Sequence, residues 1–340
     1  MKKIFDPDMR ITIALLALFG ASIMAPAEEL EIPEALMGDW SLTLTSGEPT
    51  WMSVYEEDGK AMVRMRVYVG PEGPYEIASV EGDTIRFALK PKRVRKGSDE
   101  WIDQEVTAGM VDGVLSGQLV RTPRDGSEGE VIDFTGKRIP PMPTSPPDLS
   151  KVRFGQPVSL FNGKDLTGWR PYEKDKINGW SVEDGLLVNS TPKTDFSATG
   201  DHANLRTEAV FEDFWLHIEF LIEADRNSGV YLRGMYEAQV VDRDSRMQGL
   251  QGVGAIFSRI APAVNAGRPP GEWQTYDITL VDRHVTVILN GVKVIDNEPV
   301  AGPTGGAINT DPMAPGPIYL QGDHTAVKYR DIYLAPVIPD

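Results

Sequence analysis

The stretch NSGVYLRGMYEAQVVD, residues 227–242, decides the fold class of this chain. Apolar residues alternate in it with residues of other kinds, as in a β-strand, whose successive side chains point to opposite faces. The apolar set is Val230, Leu232, Ala238 and Val240. The other parity carries an aromatic ring, a cation, a carboxylate and an amide, namely Tyr231, Arg233, Glu237 and Gln239. Gly234 fits either a turn or a bulge, so the parity need not continue beyond it.

The rest of the chain also reads as strands and turns, which predicts an all-β protein. Residues 30–138 form a small all-β domain, a barrel or a sandwich, and nothing in it resembles a catalytic constellation. The segment IPPMPTSPPD has five prolines in ten residues and predicts a stiff linker over 139–150. Residues 151–340 contain about a dozen strands without βαβ alternation, which favours a jelly-roll β-sandwich.

Composition excludes several classes of protein. The chain has 340 residues, a formal net charge of -16 and no cysteine. A strongly acidic chain is a poor match for nucleic acid, whose phosphates need a basic surface. The absence of cysteine excludes disulfides, thiolate metal sites and cysteine nucleophiles. The sequence also lacks the motifs G-x-x-x-x-G-K-[ST], H-E-x-x-H and G-x-S-x-G, which argues against nucleotide enzymes, zinc peptidases and serine esterases.

The N-terminus is typical of an export signal. Lys2, Lys3 and Arg10 precede an apolar run, and Ala25 and Ala27 supply an A-x-A cleavage pattern. We therefore expect residues 1–27 to be removed and the mature protein to be periplasmic or secreted, with no membrane attachment after cleavage. The alternative is an uncleaved anchor, for which the run is short.

Two more segments alternate in the same way. In FWLHIEFLIE, His217 and Glu219 share the face opposite the apolar residues. In PIYLQGD, Gln321 falls on the polar parity, and Asp323 and His324 follow at the strand end. A solvated sheet face would carry the same residue types. Their occurrence on separate strands of one domain indicates a common site, and carboxylate, amide and tyrosine groups suit sugar hydroxyls.

Eight blocks of the chain resemble, in order, the 3-keto-disaccharide hydrolase domain family over residues 156–337. The blocks are SLFNGKDLTGW, WSVEDGLL, NLRTEAVFEDFWLHIEF, NSGVYLRGMYEAQVVD, GAIFSRIAPAVNAGRPPGEWQTYDI, VILNGVKV, GPTGG and PIYLQGDHTAVKYRDIYL. The resemblance implies a concanavalin-like jelly roll, export, and activity on sugar glycosides oxidised at C3. The pattern carries over to Glu219, Asn227, Ser228, Gly229, Arg233, Glu237, Gln239, Asp242 and Gln321.

A ketone at C3 acidifies the C2 proton of a glycoside, so a base can remove it and the glycosidic oxygen can leave by β-elimination. That route needs a base near C2 and a positive or donor group near the C3 oxygen. The base is His324 or Glu237, and the electrophile is Arg233 or a bound metal. Substrate binding is expected from Asn227, Tyr231, Gln239, Gln321 and Asp323.

No cofactor is certain from the sequence. A divalent metal ion would fit His217, Glu219 and Glu237, since hard cations take carboxylate oxygens and imidazole suits manganese or zinc. Glu219 is therefore also a candidate for the catalytic set.

Two other functions remain open. An ordinary jelly-roll glycosidase would use Glu237 and Asp242, although a retaining mechanism needs two carboxyl groups about 5–5.5 Å apart and position 239 is glutamine. A non-catalytic glycan-binding module would have the same fold, because a fold does not fix a function. Under all three readings the partner is an oxidised glycoside or another saccharide.

Overall fold

The computed structural model describes residues 30–45, 47, 49–67, 72–94, 98–193 and 200–338. The predicted export signal, residues 1–27, lies outside these ranges. Within them the regular structure is β apart from one short 3-10 helix, Gly249–Gln251. No helix in the described ranges is long and apolar enough to cross a membrane.

Nine strands precede the proline-rich segment. They are β1 (Gly38–Leu44), β2 (Pro49–Glu57), β3 (Lys60–Val67), β4 (Tyr75–Glu76), β5 (Ser79–Glu81), β6 (Thr84–Arg93), β7 (Trp101–Val111), β8 (Val114–Pro123) and β9 (Glu130–Arg138). All of them pair antiparallel in one sheet, in the order β4, β3, β2, β1, β9, β8, β7, β6, β5.

This sheet closes into a barrel. Its two end strands, β4 and β5, are only two residues apart in the chain. The Ile77 amide donates to Ala61 O at 2.9 Å, and the next amide, Ala78, donates to Arg86 O at 2.8 Å. One short segment therefore joins β3 to β6. Apolar side chains on alternate positions fill the interior, as in other small barrels.

Residues 139–150 contain no helix or strand. The segment is held against the part of the chain that follows it. Arg283 donates to the carbonyl oxygens of Pro140, at 2.9 Å, and Pro141. Asn297 donates to Pro147 O at 2.9 Å. Because proline carbonyls remain available as acceptors, hydrogen bonds to them can hold a proline-rich segment in place.

The remaining strands form two further sheets. They are β10 (Val158–Ser159), β11 (Trp169–Pro171), β12 (Trp180–Glu183), β13 (Leu186–Asn189), β14 (Leu205–Thr207), β15 (Phe214–Leu221), β16 (Asn227–Leu232), β17 (Tyr236–Val241), β18 (Trp273–Val281), β19 (His284–Leu289), β20 (Val292–Pro299), β21 (Tyr319–Leu320) and β22 (Val327–Pro336).

One sheet has eight strands, in the order β12, β13, β22, β15, β18, β19, β20, with β10 also pairing with β22. The other has five, in the order β11, β14, β21, β16, β17. Ile218 and Phe220 from the first sheet share one buried cluster with Val230 and Ala238 from the second. The two sheets therefore pack face to face, and the prediction of an all-β chain with a concanavalin-like jelly-roll sandwich is confirmed.

The β16–β17 hairpin keeps its parity through the turn. Leu232 pairs with Tyr236, so three residues separate the two strands. Arg233 and Gly234 have positive φ angles of 57° and 62° in this turn. Since the paired residue numbers have an even sum, odd-numbered residues of both strands share one face. All twelve residues of the two strands are buried, so this polar face is covered as well as the core face.

Candidate active site

One row of side chains crosses the five-stranded sheet on the face turned away from the core. Direct antiparallel partners share a face. The pairs that define the row are Arg170 with Arg206, Arg206 with Tyr319, Tyr319 with Tyr231, and Tyr231 with Glu237. The rings of Tyr231 and Tyr319 meet edge to face, with centroids 4.9 Å apart.

A second row of amide groups lies beside the first. Gln239 is the strand partner of Gly229. The backbone N–H of Gln321 donates to Gly229 O at 2.9 Å. Asn227 is two residues before Gly229 on the same strand. The side-chain oxygens of Asn227, Gln239 and Gln321 are buried, and within the described ranges none of them has a hydrogen-bond partner. Buried acceptors are normally satisfied, so three unsatisfied ones on one face fit a ligand that brings hydroxyl donors.

The carboxyl group of Glu237 lies over the gap between these amides. Gly229 leaves that gap because it has no side chain, and Cγ of Glu237 lies 2.8 Å from where a Cβ would stand there. Glu237 is only 3% exposed. Burial is the largest effect on its pKa and raises it, a hydrogen bond with Tyr231 lowers it, the charge of Asp323 raises it, and the charge of Arg66 lowers it, with a net pKa of about 8. A carboxylate tuned in this way can act as a base near neutral pH.

Two predicted residues, Tyr231 and Asp323, act on that carboxyl group. Burial, and then the charge of Glu237, raise the pKa of Tyr231 well above its ordinary value, so its hydroxyl stays protonated. The one hydrogen of that hydroxyl is donated to Gly305 O at 2.7 Å. Asp323 is 2% exposed, and its Oδ1 lies 2.7 Å from Nδ1 of His324. The structure thus brings Tyr231 and Asp323 to Glu237, and His324 is the chain neighbour of Asp323.

Arg66, on barrel strand β3, is a site residue that sequence reasoning missed. It is 6% exposed, and its Nη2 lies 2.6 Å from Glu72 Oε2. Glu72 also pairs with Arg259 of the sandwich, which ties the barrel to the second domain. Residues 30–138 contain no catalytic pattern in sequence, yet this domain supplies a charge that acts on Glu237. An arginine at an outward position of a strand looks like any solvated cation, so nothing local marks it.

The predicted metal site is wrong. His217 and Glu219 lie on β15 of the eight-stranded sheet, where the alternate residues Leu216 and Ile218 enter the core. Their side chains therefore occupy the outer face of that sheet, on the opposite side of the sandwich from Glu237. No group of three or more histidine, aspartate or glutamate residues in the described part of the chain could hold a metal ion.

Both residues have other partners on that outer face. Nδ1 of His217 lies 2.8 Å from Asp277 Oδ1, and this hydrogen bond raises the pKa of His217. Oε2 of Glu219 accepts a hydrogen bond from Arg330 Nε at 2.6 Å. The prediction that Glu219 is catalytic is wrong for the same reason, because its side chain lies on the outer face of the eight-stranded sheet and Glu237 lies on the other sheet.

The structure also separates Arg233 from the site. Arg233 occupies the turn between β16 and β17, is 2% exposed, and donates from Nη1 to Pro312 O at 2.9 Å. Its Nη2 lies 4.0 Å from Oε1 of Glu212, which precedes β15. The predicted electrophile is therefore a turn residue whose side chain supports the loop that contains Pro312.

Asp242, the second carboxylate of the alternative glycosidase reading, lies just beyond β17. It accepts backbone hydrogen bonds from Asp225, at 3.1 Å, and Asp244, at 3.0 Å. Both oxygens therefore stabilise the loop ends, as aspartate does in turns.

Comparisons with known proteins give the family of the second domain. The 3-keto-alpha-glucoside-1,2-lyase-like domain family matches residues 156–335. A 3-keto-disaccharide hydrolase from Bacteroides thetaiotaomicron is 25% identical over 166 residues, which are 41% of this chain and 57% of that protein. The chain thus spans little more than half the length of that curated relative.

Two solved structures of candidate glycosyl hydrolases from Parabacteroides distasonis are also similar. One is 22% identical, with 54% of this chain and 94% of that chain covered and a TM-score of 0.44. The other is 27% identical, with 62% and 95% covered and a TM-score of 0.42. Because the family match covers more than half of the sequence, the chain belongs to the 3-keto-alpha-glucoside-1,2-lyase-like domain family.

Proposed function

We propose that the protein is a carbohydrate-active enzyme that cleaves glycosides oxidised at C3, with Glu237 as the base. The observation that carries this proposal is a buried carboxyl group, with a pKa of about 8, on the sheet face that also holds three unsatisfied amide oxygens. The family description, 3-keto-alpha-glucoside-1,2-lyase-like, supports an elimination between C1 and C2.

Glu237 takes the proton from C2, and the C–H electron pair enters the enolate of the C3 ketone. The enolate then forms the C1–C2 double bond, and the bond from C1 to the glycosidic oxygen breaks. Water adds at C1 and gives its proton to the group that protonated the leaving oxygen, and a proton returns to C2, so the net reaction is hydrolysis. Glu237 returns the proton it removed, which keeps the carboxyl group unchanged over the cycle.

The leaving oxygen needs a proton, and we assign this step to His324. Its Nδ1 lies 2.7 Å from Asp323 Oδ1, an ion-pair distance at which the carboxylate favours a protonated imidazole. The amide oxygens of Asn227, Gln239 and Gln321 accept hydrogen bonds from sugar hydroxyls and hold the ring over Glu237.

A second candidate is an ordinary glycosidase that uses two carboxyl groups. The observation in its favour is that Asp323 lies close enough for its charge to raise the pKa of Glu237. In such an enzyme Glu237 would be the proton donor and Asp323 the nucleophile or the base. This reaction needs no ketone on the sugar.

The decisive experiment compares a 3-keto disaccharide with its unoxidised parent. Purified protein is mixed with each, with and without a chelator, and release of the free sugar is followed. Cleavage of the 3-keto compound alone, lost in Glu237→Gln, supports the proposal. Equal cleavage of both indicates the two-carboxylate glycosidase, and binding of either compound without cleavage indicates a glycan-binding module. Loss of cleavage with chelator alone would show that a metal takes part.

We also propose that the protein is exported to the periplasm or secreted, on the strength of the predicted signal at residues 1–27. Expression of the full chain in a Gram-negative host, followed by mass spectrometry of the periplasmic fraction, tests this. The expected mature N-terminus is Glu28, and an intact Met1 in the cytoplasmic fraction alone would contradict it.

A further inference from the structure

The row of side chains across the five-stranded sheet becomes more exposed toward one edge. Glu237, Tyr231 and Tyr319 are buried, whereas Arg206 and Arg170 are half-buried. The polar face is therefore closed at β17 and opens toward β14 and β11. A ligand whose reacting carbon lies at Glu237 extends along the row toward these two arginines.

The two arginines form a like-charged pair. They are direct partners in the β11–β14 register, so their side chains leave the same face of neighbouring strands. Nε of Arg206 donates to Thr207 O at 3.0 Å. Neither guanidinium lies within 4.0 Å of a carboxylate in the part of the chain that the structure describes.

Such a pair is unexpected in a chain with a net charge of -16. Like charges directly opposite each other destabilise a sheet, and acidic residues are available in excess to neutralise them. Burial, and then the charge of Arg170, lower the pKa of Arg206, which is the effect expected of two cations in close proximity. No carboxylate of the described chain neutralises the pair, so its charge points to an anionic ligand.

A cleft begins at Tyr172, two residues along the chain from Arg170. Tyr172 follows β11, and its ring meets that of Tyr319 edge to face at 5.8 Å. Tyr172 also lines a cleft of about 400 Å³ between the barrel and the sandwich, together with Lys137, Thr310 and Asp311. Burial, and then the charge of Glu173, raise the pKa of Tyr172, and the charges of Arg206 and Arg170 oppose that rise, so both arginines lie near the tyrosine that lines the cleft.

We propose that Arg170 and Arg206 bind an anionic group, a carboxylate or a sulfate ester, on the part of the glycoside remote from the reacting carbon. Strands lie about 4.8 Å apart, so Arg206 and Glu237, three strands from each other, have backbones roughly 14 Å apart. A disaccharide-sized ligand spans that separation. Two guanidinium groups can each donate a pair of hydrogen bonds to such an oxyanion. This proposal rests on the proposed function, because the reacting carbon is placed at Glu237.

The test measures binding by calorimetry to three probes built on one disaccharide: the neutral compound, its terminal uronic acid, and its sulfate ester. The wild-type protein is expected to bind at least one anionic probe about ten-fold or more tighter than the neutral one, with the preference weakening as salt is raised. The probe that shows the preference identifies the anion as carboxylate or sulfate. Equal binding of all three overturns the inference.

Variants identify the residues. Arg206→Gln and Arg170→Gln are each expected to reduce the preference to about three-fold or less, and the double variant to abolish it, while Arg206→Lys retains most of it. Arg86→Gln removes the same charge from an exposed barrel strand and is expected to leave the preference intact. If Arg86→Gln has the same effect as Arg206→Gln, the preference arises from net charge and the inference is wrong.

A stability measurement separates a lost binding site from a damaged fold. Because the two charges repel each other, Arg206→Gln is expected to melt at the same temperature as wild type or higher. Loss of the preference together with a lower melting temperature in Arg206→Gln but not in Arg206→Lys counts against a binding role.

The inference and the proposed function fail separately. Cleavage of a neutral 3-keto disaccharide with no preference for anionic probes leaves the function standing and removes the arginine site. An arginine-dependent preference without any cleavage of 3-keto glycosides supports the anion site and contradicts the proposed function.

Discussion

The carboxyl group of Glu237 occupies the space above Gly229. Cγ of Glu237 lies 2.8 Å from the position that a Cβ of Gly229 would take, closer than two such carbon atoms can approach. Gly229 is not in the left-handed region of φ, so the requirement for glycine here is one of space and not of backbone conformation. The position of the candidate base is thus set by the absence of a side chain on the neighbouring strand.

Replacing Gly229 with alanine should displace the carboxyl group. We expect kcat/KM on the 3-keto substrate to fall by about 100-fold or more, since displacement of a reacting group by about 1 Å has effects of that size. Gly155→Ala is the matched control, because a Cβ there would meet its nearest atom at 3.5 Å, an ordinary contact. Unchanged activity of Gly229→Ala would show that the carboxyl position is not critical.

Removing the carboxylate itself should be more severe. Glu237→Gln is expected to lower kcat/KM by about 10²–10⁴-fold, the usual contribution of a positioned base. In the wild type the base is active only when ionised, so kcat/KM should rise with pH to a plateau, with its midpoint near the Glu237 pKa of about 8. A profile that falls over the same range would assign the base role to another group.

The same raised pKa predicts how stability depends on pH. The folded protein holds the Glu237 proton up to a pKa of about 8, whereas the unfolded chain releases it near the ordinary value of 4.5. The stabilising effect of the protonated group is therefore complete below pH 4.5 and is lost as pH rises through 8. Glu237→Gln, which cannot ionise, should be more stable than wild type at about pH 9, by about 2–5 kcal/mol, and should show no such gain at about pH 4. Denaturant titrations at the two values measure the difference, and an equal effect at both would contradict the shift.

Arg66 is expected to act on Glu237 from the other domain. Its positive charge lowers the Glu237 pKa, so Arg66→Gln should move the midpoint of the activity profile upward, by up to about one unit. Arg86→Gln, which removes a charge of the same sign from an exposed strand of the same barrel, should leave the midpoint in place. A loss of kcat/KM in Arg66→Gln that is equal at all pH values would indicate a purely structural role at the domain interface.

The outer face of the eight-stranded sheet should not take part in the reaction. Glu219→Gln and His217→Gln are expected to keep kcat/KM within about two-fold of wild type and to cost about 1 kcal/mol or less in stability, as partly exposed ion pairs do. Steady-state kinetics and thermal melting measure both quantities. Loss of activity in either variant with an intact fold would restore these residues to the site.

Much of the β16–β17 hairpin could be predicted from its alternation, but the placing of Glu237 beside Tyr231 could not. A two-residue connection would have paired residues of opposite parity and sent Glu237 to the core face. The three-residue turn through Arg233 and Gly234 keeps the two on one face. The length of this turn depends on how the loop packs against the rest of the protein, and alternation along the sequence carries no information about that packing.

The prediction for His217 and Glu219 was wrong for a different reason. Alternation correctly set them opposite the apolar residues of their own strand. It could not say which of the two sheets the strand would join. In a sandwich each sheet has its own outer face, so residues with the same pattern end up on opposite sides of the molecule.

The sequence by itself determined the all-β class, the strands, the family and most of the polar residues that line the five-stranded sheet, because these depend on side-chain alternation and on residue identity along short segments. Only the tertiary structure decided which polar faces meet and that Gly229 makes room for Glu237. It also decided that the charge of Arg66 in the barrel acts on the same carboxyl group, and that Arg170 and Arg206 are direct partners on neighbouring strands. The reason is that desolvation and charge interactions depend on distance in space, and the strands that create them are far apart in the chain.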